Sequence, residues 1–423
     1  MPLGITDHLN PCKFRWFTRA FMNLEVGPTK LMSSEIYSGL KQKSLDREIL
    51  MGISLSSRHR AIRGEYWPNV NLMSYDSEME VTYENVIGRN ESNLEINNTL
   101  RKNLRSERIL ITGAGGSIGS KIATSIAQFP DIEMLATDRD ENRLHSLSLE
   151  IMGTALFNSS QYRVLDVRDS TGVENMIIDF QPTMIVHAAA LKHLAILEKQ
   201  PREAYLTNFL GTRNLLKSGA SHSVSKFLNI STDKAANPVS VLGKTKYMAE
   251  VLTADYRRSG CHQYTNVRFG NVFNSQGSVI ETFTRQIKLG IPITLTDPEV
   301  NRFFMKIEEA ANLSLLASAL NEGDVHILDM GKPVKLLNVI EKLIEILDGK
   351  SKIVIVGLRE GEKIQEELWS SQERVFQTKA KGIKALNLVI SEQLPKDFSE
   401  NPLTDEEAVA EIDRFMKGSK VGV

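Results

Sequence analysis

Ile109-Leu110-Ile111-Thr112-Gly113-Ala114-Gly115-Gly116-Ser117-Ile118-Gly119 passes from an apolar run into a glycine-rich turn and then into a helical pattern. The first four residues read as a strand buried on both faces. After the turn, Ile118, Ile122, Ile126 and Ala127 fall on one helical face. Gly113, Gly116 and Gly119 stand where a backbone must turn sharply, approach a pyrophosphate and pack on a helix, and the free N–H groups at the helix start face the phosphates. Gly115 lies inside that turn, and Ser117 and Ile118 open the helix. A glycine-rich turn alone is a weak signal. Here it sits between strand and helix, and Asp138 ends the next predicted strand nineteen residues beyond Gly119, which is the spacing of a dinucleotide site.

The Asp138 carboxylate suits the two hydroxyls of an adenosine ribose and repels a 2′-phosphate, which favours NAD. The adjacent Arg139 is suited to that phosphate and leaves NADP open. Asp166 and Val167 end the third strand, where an adenine edge is expected.

Working outward, apolar strands are expected over 109–112, 134–137, 162–165, 184–187, 227–231, 267–269, 325–328 and 353–356, with helical periodicity in most of the gaps. This alternation is the signature of an α/β fold, a doubly wound parallel Rossmann sheet. Leu336, Ile340, Leu343, Ile344 and Leu347 form one helical stripe closed by Gly349. Thr404 and Glu407 make a capping box for a last helix through Met416.

Residues 1–80 lack this pattern. Phe14, Trp16, Phe17, Phe21 and Met22 form one apolar face and residues 45–53 another, so this part is expected to be a mostly helical extension packing on the main domain or on a sister subunit of a homo-oligomer. The expected division is an extension over 1–80, a dinucleotide-binding domain over 81–268, a substrate-binding part over 269–370 interleaved with it, and a tail with a short helix over 371–423.

Composition narrows the class. Of 423 residues 41% are hydrophobic and 24% charged, which is ordinary globular usage. Lysine and arginine number 51 against 52 acidic residues, so no global field exists to hold nucleic acid, and a phosphate-bearing ligand must be gripped locally. Cys12 and Cys261 are the only cysteines, which gives neither a disulfide framework nor paired zinc ligands and points to a reducing, cytoplasmic setting. No secretory signal is recognisable over 1–13, and no stretch approaches the roughly 18 apolar residues of a membrane span.

The segment Ser231-Thr232-Asp233-Lys234-Ala235-Ala236-Asn237-Pro238, followed by Gly243-Lys244-Thr245-Lys246 and preceded by His187-Ala188-Ala189-Ala190-Leu191-Lys192-His193, resembles the UDP-N-acetylglucosamine 4,6-dehydratases, the CapD-like polysaccharide biosynthesis family of extended short-chain dehydrogenases/reductases. Arg268-Phe269-Gly270-Asn271-Val272, Gly277-Ser278-Val279-Ile280, Arg302-Phe303-Phe304-Met305, Leu328-Asp329-Met330-Gly331 and Gly361-Glu362-Lys363 resemble that family's blocks in the family's order. The resemblance runs from Tyr83 to Leu368. Glu84 to Arg89 is similar to the segment that precedes the catalytic domain in membrane-anchored members, so a cytoplasmic relative is expected, with the extension in place of the membrane part.

The resemblance implies oxidation of a hexose at carbon 4, loss of the carbon-5 proton and the carbon-6 hydroxyl, and return of hydride to carbon 6. It makes Lys234 the carbon-5 base and Asp233 the acid, with Thr232 hydrogen-bonded to the 4-oxygen and Lys246 on the nicotinamide ribose. Adjacent Asp233 and Lys234 couple, so their proton roles are open to exchange. Ala188, Ala189, Ala190, Lys192 and Asn208 are implied to border the dinucleotide, and Lys192 and His193 the sugar. Asn271, Gly277, Ser278, Val279, Arg302 and Glu362 are implied to hold the diphosphate and uridine. No metal is implied.

Two positions depart from the pattern. Leu242 stands four residues before Lys246, where these enzymes usually place a tyrosine, so the group that takes the 4-hydroxyl proton is expected to be Asp233, through Thr232 or a water. Tyr247 would point elsewhere on a helix. Glu360 replaces the proline common before Gly-Glu-Lys. Two other readings share the sequence: a nucleotide-sugar epimerase using the same 4-keto intermediate, and a noncatalytic NAD or nucleotide-sugar binder.

Overall fold

Ile109, Leu110, Ile111 and Thr112 are all buried in strand β1 (Arg108–Thr112), as befits a strand with neighbours on both sides and helices on both faces. The computed structural model describes residues 81–89, 96–153, 160–260, 263–391, 395 and 397–419. The helical extension expected over 1–80 lies outside the described residues.

Strands β2 (Glu133–Asp138), β3 (Tyr162–Val164), β4 (Met184–His187), β5 (Lys226–Ile230), β6 (Gln263–Arg268), β7 (Val325–Leu328), β8 (Val375–Gln377) and β9 (Ile383–Leu386) join β1 in a nine-stranded sheet. Its order is β8-β9-β7-β6-β5-β4-β1-β2-β3. Every pair from β3 to β7 is parallel. Strand β9 runs antiparallel to β7, and β8 antiparallel to β9. The chain steps outward from β1 to β3, then returns to lay β4 on the other side of β1. This reversal opens a crevice at the carboxyl ends of β1 and β4, where doubly wound sheets bind ligands. The Rossmann architecture expected from the sequence is present.

Helix α1 (Ser117–Ala127) buries Gly119, Ile122, Ala123 and Ile126, while Ala127 is exposed. At 3.6 residues per turn, Ala123 completes the apolar stripe that the sequence reading had given to Ala127. Helix α2 (Val241–Ser259) follows β5 and is capped by Ser240, whose side chain accepts from the Gly243 N–H. Between these two layers lies the larger core.

A second core forms around helices α3 (Val279–Lys288) and α5 (Leu336–Ile346) from Phe273, Ile280, Phe283, Ile340 and Leu343, with α4 (Ile307–Ala317) packing back on α1. Tyr83 and Val86 belong to this second core, and the Tyr83 hydroxyl donates to the Phe304 carbonyl at 3.0 Å. The short helix Tyr83–Ile87 therefore packs with this second core, whereas Leu100 and Leu104 of the helix Ile96–Leu104 belong to the main core.

Three other features differ from expectation. The last segment is no tail: β8 and β9 extend the sheet, and helix α6 (Asp405–Ser419) packs on α2. The strand expected over 353–356 is present as Ile353–Ile355 but pairs with Ile293–Leu295, outside the main sheet. Helix α5 ends in a Schellman turn whose left-handed residue is Asp348, at φ 47°, while the Gly349 N–H donates to the Ile344 carbonyl at 3.0 Å.

Candidate active site

The turn after β1 is seated directly on the end of β4. Gly113 has φ +70°, and a Cβ there would lie 2.5 Å from the Ala189 nitrogen, so only glycine allows the two strand ends to approach so closely. Gly116 caps α1 without any side-chain hydrogen bond, which leaves the first N–H groups of that helix facing the crevice. A cavity of about 670 Å³ opens there, between the β1, β2 and β4 ends and the loop over 275–279.

Asp138 is fixed at the end of β2. Its Oδ2 accepts from the Gly115 N–H and its Oδ1 from the Asp140 N–H, both at 3.0 Å. Arg139 and Arg143 line the same end of the cavity. Burial works to raise the Asp166 carboxyl, but hydrogen bonds from Arg168 outweigh it and hold the group below the usual carboxylate range.

Across the mouth, the Lys192 ammonium donates to the Gln276 carbonyl at 2.6 Å, and the Gln276 N–H donates to Ser117 Oγ at 3.1 Å. His193 lies against Gly277, where a Cβ would come within 2.7 Å of its imidazole. Burial lowers the pKa of Lys192, assisted by Arg143, and that of His193, assisted by Lys192. This crosslink joins the start of α1 and the segment after β4 to the loop over 275–279.

Thr232, Asp233 and Lys234 sit at the end of β5. Thr232 leads into a short turn, its hydroxyl donating to Asp233 Oδ1 at 2.9 Å. The Lys234 Nζ donates to the same oxygen at 3.0 Å and lies 3.5 Å from Oε1 of Glu366. Asp233 Oδ2 is buried and makes no hydrogen bond. Burial works against the Lys234 ammonium, but Asp233 and Glu366 outweigh it and hold its pKa above the usual lysine value. Lys246, only 3% exposed, makes no hydrogen bond or ion pair among the described residues, and burial pulls its pKa down to about 8 against the opposing pull of Glu250. Leu242 lines the cavity one helical turn before Lys246, and Tyr247 is packed in the main core.

Of the residues singled out from sequence, the cavity gathers Gly113, Gly116, Ser117, Ile118, Gly119, Asp138, Arg139, Asp166, Val167, Ala188, Ala189, Ala190, Lys192, His193, Thr232, Lys234, Asn271, Gly277, Ser278 and Val279. Six others do not line it. Gly115 is turned behind Asp138, whose carboxylate holds its N–H. Asn208 is fully buried, with its amide engaged on both backbone groups of Leu191 and on Thr245. Asp233 and Lys246 are buried. Arg302 and Glu362 pair with each other at 3.2 Å, and Glu362 also accepts from Thr296. Sequence reasoning missed Glu366 and the Gln276 crosslink.

Comparison with known proteins places the chain. The family described as "Polysaccharide biosynthesis protein" matches residues 109–387. The chain belongs to this family. Among curated relatives, capsular polysaccharide biosynthesis protein CapD of Staphylococcus aureus is 38% identical over 79% of this chain and 59% of its own length. The probable polysaccharide biosynthesis protein EpsC of Bacillus subtilis is 35% identical over 70% of this chain and 50% of its own length. The chain thus spans about half the length of those relatives. A UDP-glucose 4-epimerase of Rickettsia rickettsii is 33% identical over 63% of this chain and 78% of its own.

Among solved structures, Pen from Bacillus thuringiensis matches with a TM-score of 0.59 and 30% identity over 66% of this chain and 88% of its own. DesIV, a dTDP-glucose 4,6-dehydratase of Streptomyces venezuelae with NAD and TYD bound, shares the fold at 20% identity and a TM-score of 0.53, over 62% of this chain and 87% of its own. This CapD-like chain has the extended short-chain dehydrogenase/reductase fold. No helix among the described residues is long and apolar enough to cross a membrane.

Proposed function

We propose that this chain is a nucleotide-sugar-modifying enzyme, specifically an NAD-dependent 4,6-dehydratase of UDP-N-acetylglucosamine working in the cytoplasm on surface-polysaccharide or glycan precursors. The observation that carries the reading is the Thr232-Asp233-Lys234 cluster at the end of β5, with Asp233 buried and Thr232 and Lys234 half-buried against a cavity lined by the glycine turn.

The residues present fit a bound dinucleotide. The uncapped start of α1 suits its pyrophosphate, the Asp138 carboxylate its adenosine ribose, and the partnerless Lys246 ammonium a ribose hydroxyl on the nicotinamide side. When bound, the nicotinamide supplies the acceptor for the carbon-4 hydride and the donor that returns it at carbon 6.

The chain's own groups manage the protons. With Leu242 in place of a hydroxyl-bearing side chain, Asp233 takes the 4-hydroxyl proton through the Thr232 hydroxyl, and the nearby Lys246 charge favours its loss. The protonated Asp233 then serves as the acid for the departing carbon-6 hydroxyl, while Lys234 takes the proton from carbon 5. Arg302 and Glu362 serve the diphosphate and uridine ribose once their mutual pair opens to the ligand.

The second reading is epimerisation, favoured by the likeness to the rickettsial UDP-glucose 4-epimerase. Epimerisation needs only a proton shuttle at the 4-oxygen. A buried carboxylate and an ammonium held together at the same cavity match the added demand of removing water. Incubation with NAD and a panel of UDP-sugars, with products analysed by mass spectrometry and NMR, separates the readings. Loss of one water supports dehydration, unchanged mass with altered ring couplings identifies an epimerase, and binding without turnover identifies a binder.

A further inference from the structure

Lys234 presents a problem that the proposed chemistry does not resolve. A base for carbon 5 must be a neutral amine, yet this nitrogen lies 3.0 Å from one carboxylate and 3.5 Å from a second. Asp233 taking the 4-hydroxyl proton neutralises the first of these. The second remains, and it belongs to Glu366.

Glu366 is built into the site. It is 2% exposed, while its neighbour Glu367 is exposed. Its segment is fixed against the nucleotide-side strand pair: the Asn301 N–H donates to the Ile364 carbonyl at 2.9 Å, Arg302 Nη1 donates to the same carbonyl at 3.0 Å, and Asn301 bridges Gln365. Oε1 of Glu366 faces the Lys234 ammonium, and Oε2 is buried without a hydrogen-bond partner. A carboxylate oxygen left unpaired in the interior is costly, and such a group calls for a further role.

We propose that Glu366 is the positioning residue that aims Lys234 and takes up the proton Lys234 must shed to become the carbon-5 base. The inference rests on the dehydratase reading above. The protons balance. Asp233 holds the former 4-hydroxyl proton and delivers it to the carbon-6 hydroxyl, which leaves as water. The Lys234 ammonium passes one proton to Glu366, and the free amine takes the carbon-5 proton. As hydride arrives at carbon 6, Lys234 returns a proton to carbon 5, and Glu366 returns the stored proton to Lys234. The two carboxylates thus divide the work, one serving the 4- and 6-oxygens and the other serving the lysine.

The charged groups around the ammonium are Asp233 beside it, Glu366 across from it and, opposing both, Arg302. Glu366→Gln keeps the shape but cannot store a proton, so Lys234 must lose its own to solvent. Turnover in this variant is expected to fall about a hundredfold at neutral pH, the scale of a positioned proton-transfer group, and to recover as pH rises. Glu366→Asp is expected to restore part of the neutral-pH rate. A loss equal at every pH, or a rate for Glu366→Gln within a few-fold of the parent, overturns the proposal.

A second readout needs no turnover. Competitive acetylation of the free protein, followed by peptide mass spectrometry across pH, gives the midpoint at which Lys234 becomes reactive. Removing the Glu366 charge is expected to lower that midpoint by about one pH unit, as for loss of an opposite charge at this range. An unmoved midpoint overturns the coupling. Failure of the parent protein to dehydrate any UDP-sugar instead refutes the dehydratase reading, and the labelling result distinguishes the two failures.

Discussion

Replacing Lys246 with methionine should make the ligand-free protein more stable. The side chain is 3% exposed and has no polar partner among the described residues, and burial drops its pKa from the ordinary 10.5 to about 8. At about 1.4 kcal/mol per unit, keeping this ammonium inside costs about 3 kcal/mol of folding free energy wherever it is charged in both states. The sign follows from proton counts. Between pH 8 and 10.5 the unfolded chain holds the proton more firmly than the folded one, so stability of the parent protein rises with pH across that window. The penalty is full below about pH 8 and fades by about 10.5. Methionine fills a similar volume with no charge, so Lys246→Met is expected to raise the thermal midpoint by on the order of 5 °C at pH 7. The gain should shrink toward zero near pH 10.5. Calorimetry of the two proteins over this pH range measures both. No gain at pH 7, or a gain independent of pH, would refute the reasoning that this buried cation is held at the expense of stability.

Lys234→Ala should leave cofactor and nucleotide-sugar binding intact while losing about a hundredfold or more of dehydration, and mixing it with substrate should still produce a small NADH absorbance; near-normal dehydration would place the carbon-5 base elsewhere. Asp138→Asn should cut the preference for NAD over NADP by roughly tenfold, the scale of one charge–charge contact near a surface, as read by titration of both dinucleotides; an unchanged ratio would assign the selectivity to Arg139 or Arg143. Arg268 is fully buried and joined to Glu250 at 2.6 Å and to Glu373 at 2.9 Å, so Arg268→Met should strand buried carboxylates and cost about 3–5 kcal/mol in denaturant unfolding. A loss below about 1 kcal/mol would show that those carboxylates find other partners.

The parts of the fold that were legible in the sequence are those where one short window contains the whole physical reason. Strand β1, the glycine turn and α1 are adjacent, and their glycines are required by contacts within that unit and with the end of β4. Strands β4 and β7 are buried at every residue and read as apolar runs broken only by His187 and His326. Strand β8 was not legible because it is a three-residue edge strand with Phe376 and Gln377 exposed, and β9 because Lys384 interrupts its apolar run. The strand over 353–355 was recognisable as a strand, but periodicity carries no information about its partner, which is Ile293–Leu295.

The same distinction holds at the site. Thr232, Asp233 and Lys234 are consecutive and follow an apolar strand, so their place at the crevice followed from order alone. Glu366 sits in Gln365-Glu366-Glu367, an ordinary solvated run to the eye. Tertiary contacts, the bridge from Asn301 to Gln365 and the hydrogen bonds of Asn301 and Arg302 to the Ile364 carbonyl, fix the segment in which Glu366 turns inward. For Asn208 the sequence could not show that the tertiary structure engages its amide on Leu191 and Thr245.

The central claim is that one active site oxidises carbon 4, removes water across carbons 5 and 6, and returns the same hydride to carbon 6. UDP-N-acetylglucosamine carrying deuterium at carbon 4, incubated with the protein and NAD, tests it directly by NMR of the product. The account predicts a 4-keto-6-deoxy sugar lighter by one water, with the deuterium recovered in the carbon-6 methyl group. Deuterium retained at carbon 4 of a sugar that has lost no water would contradict it.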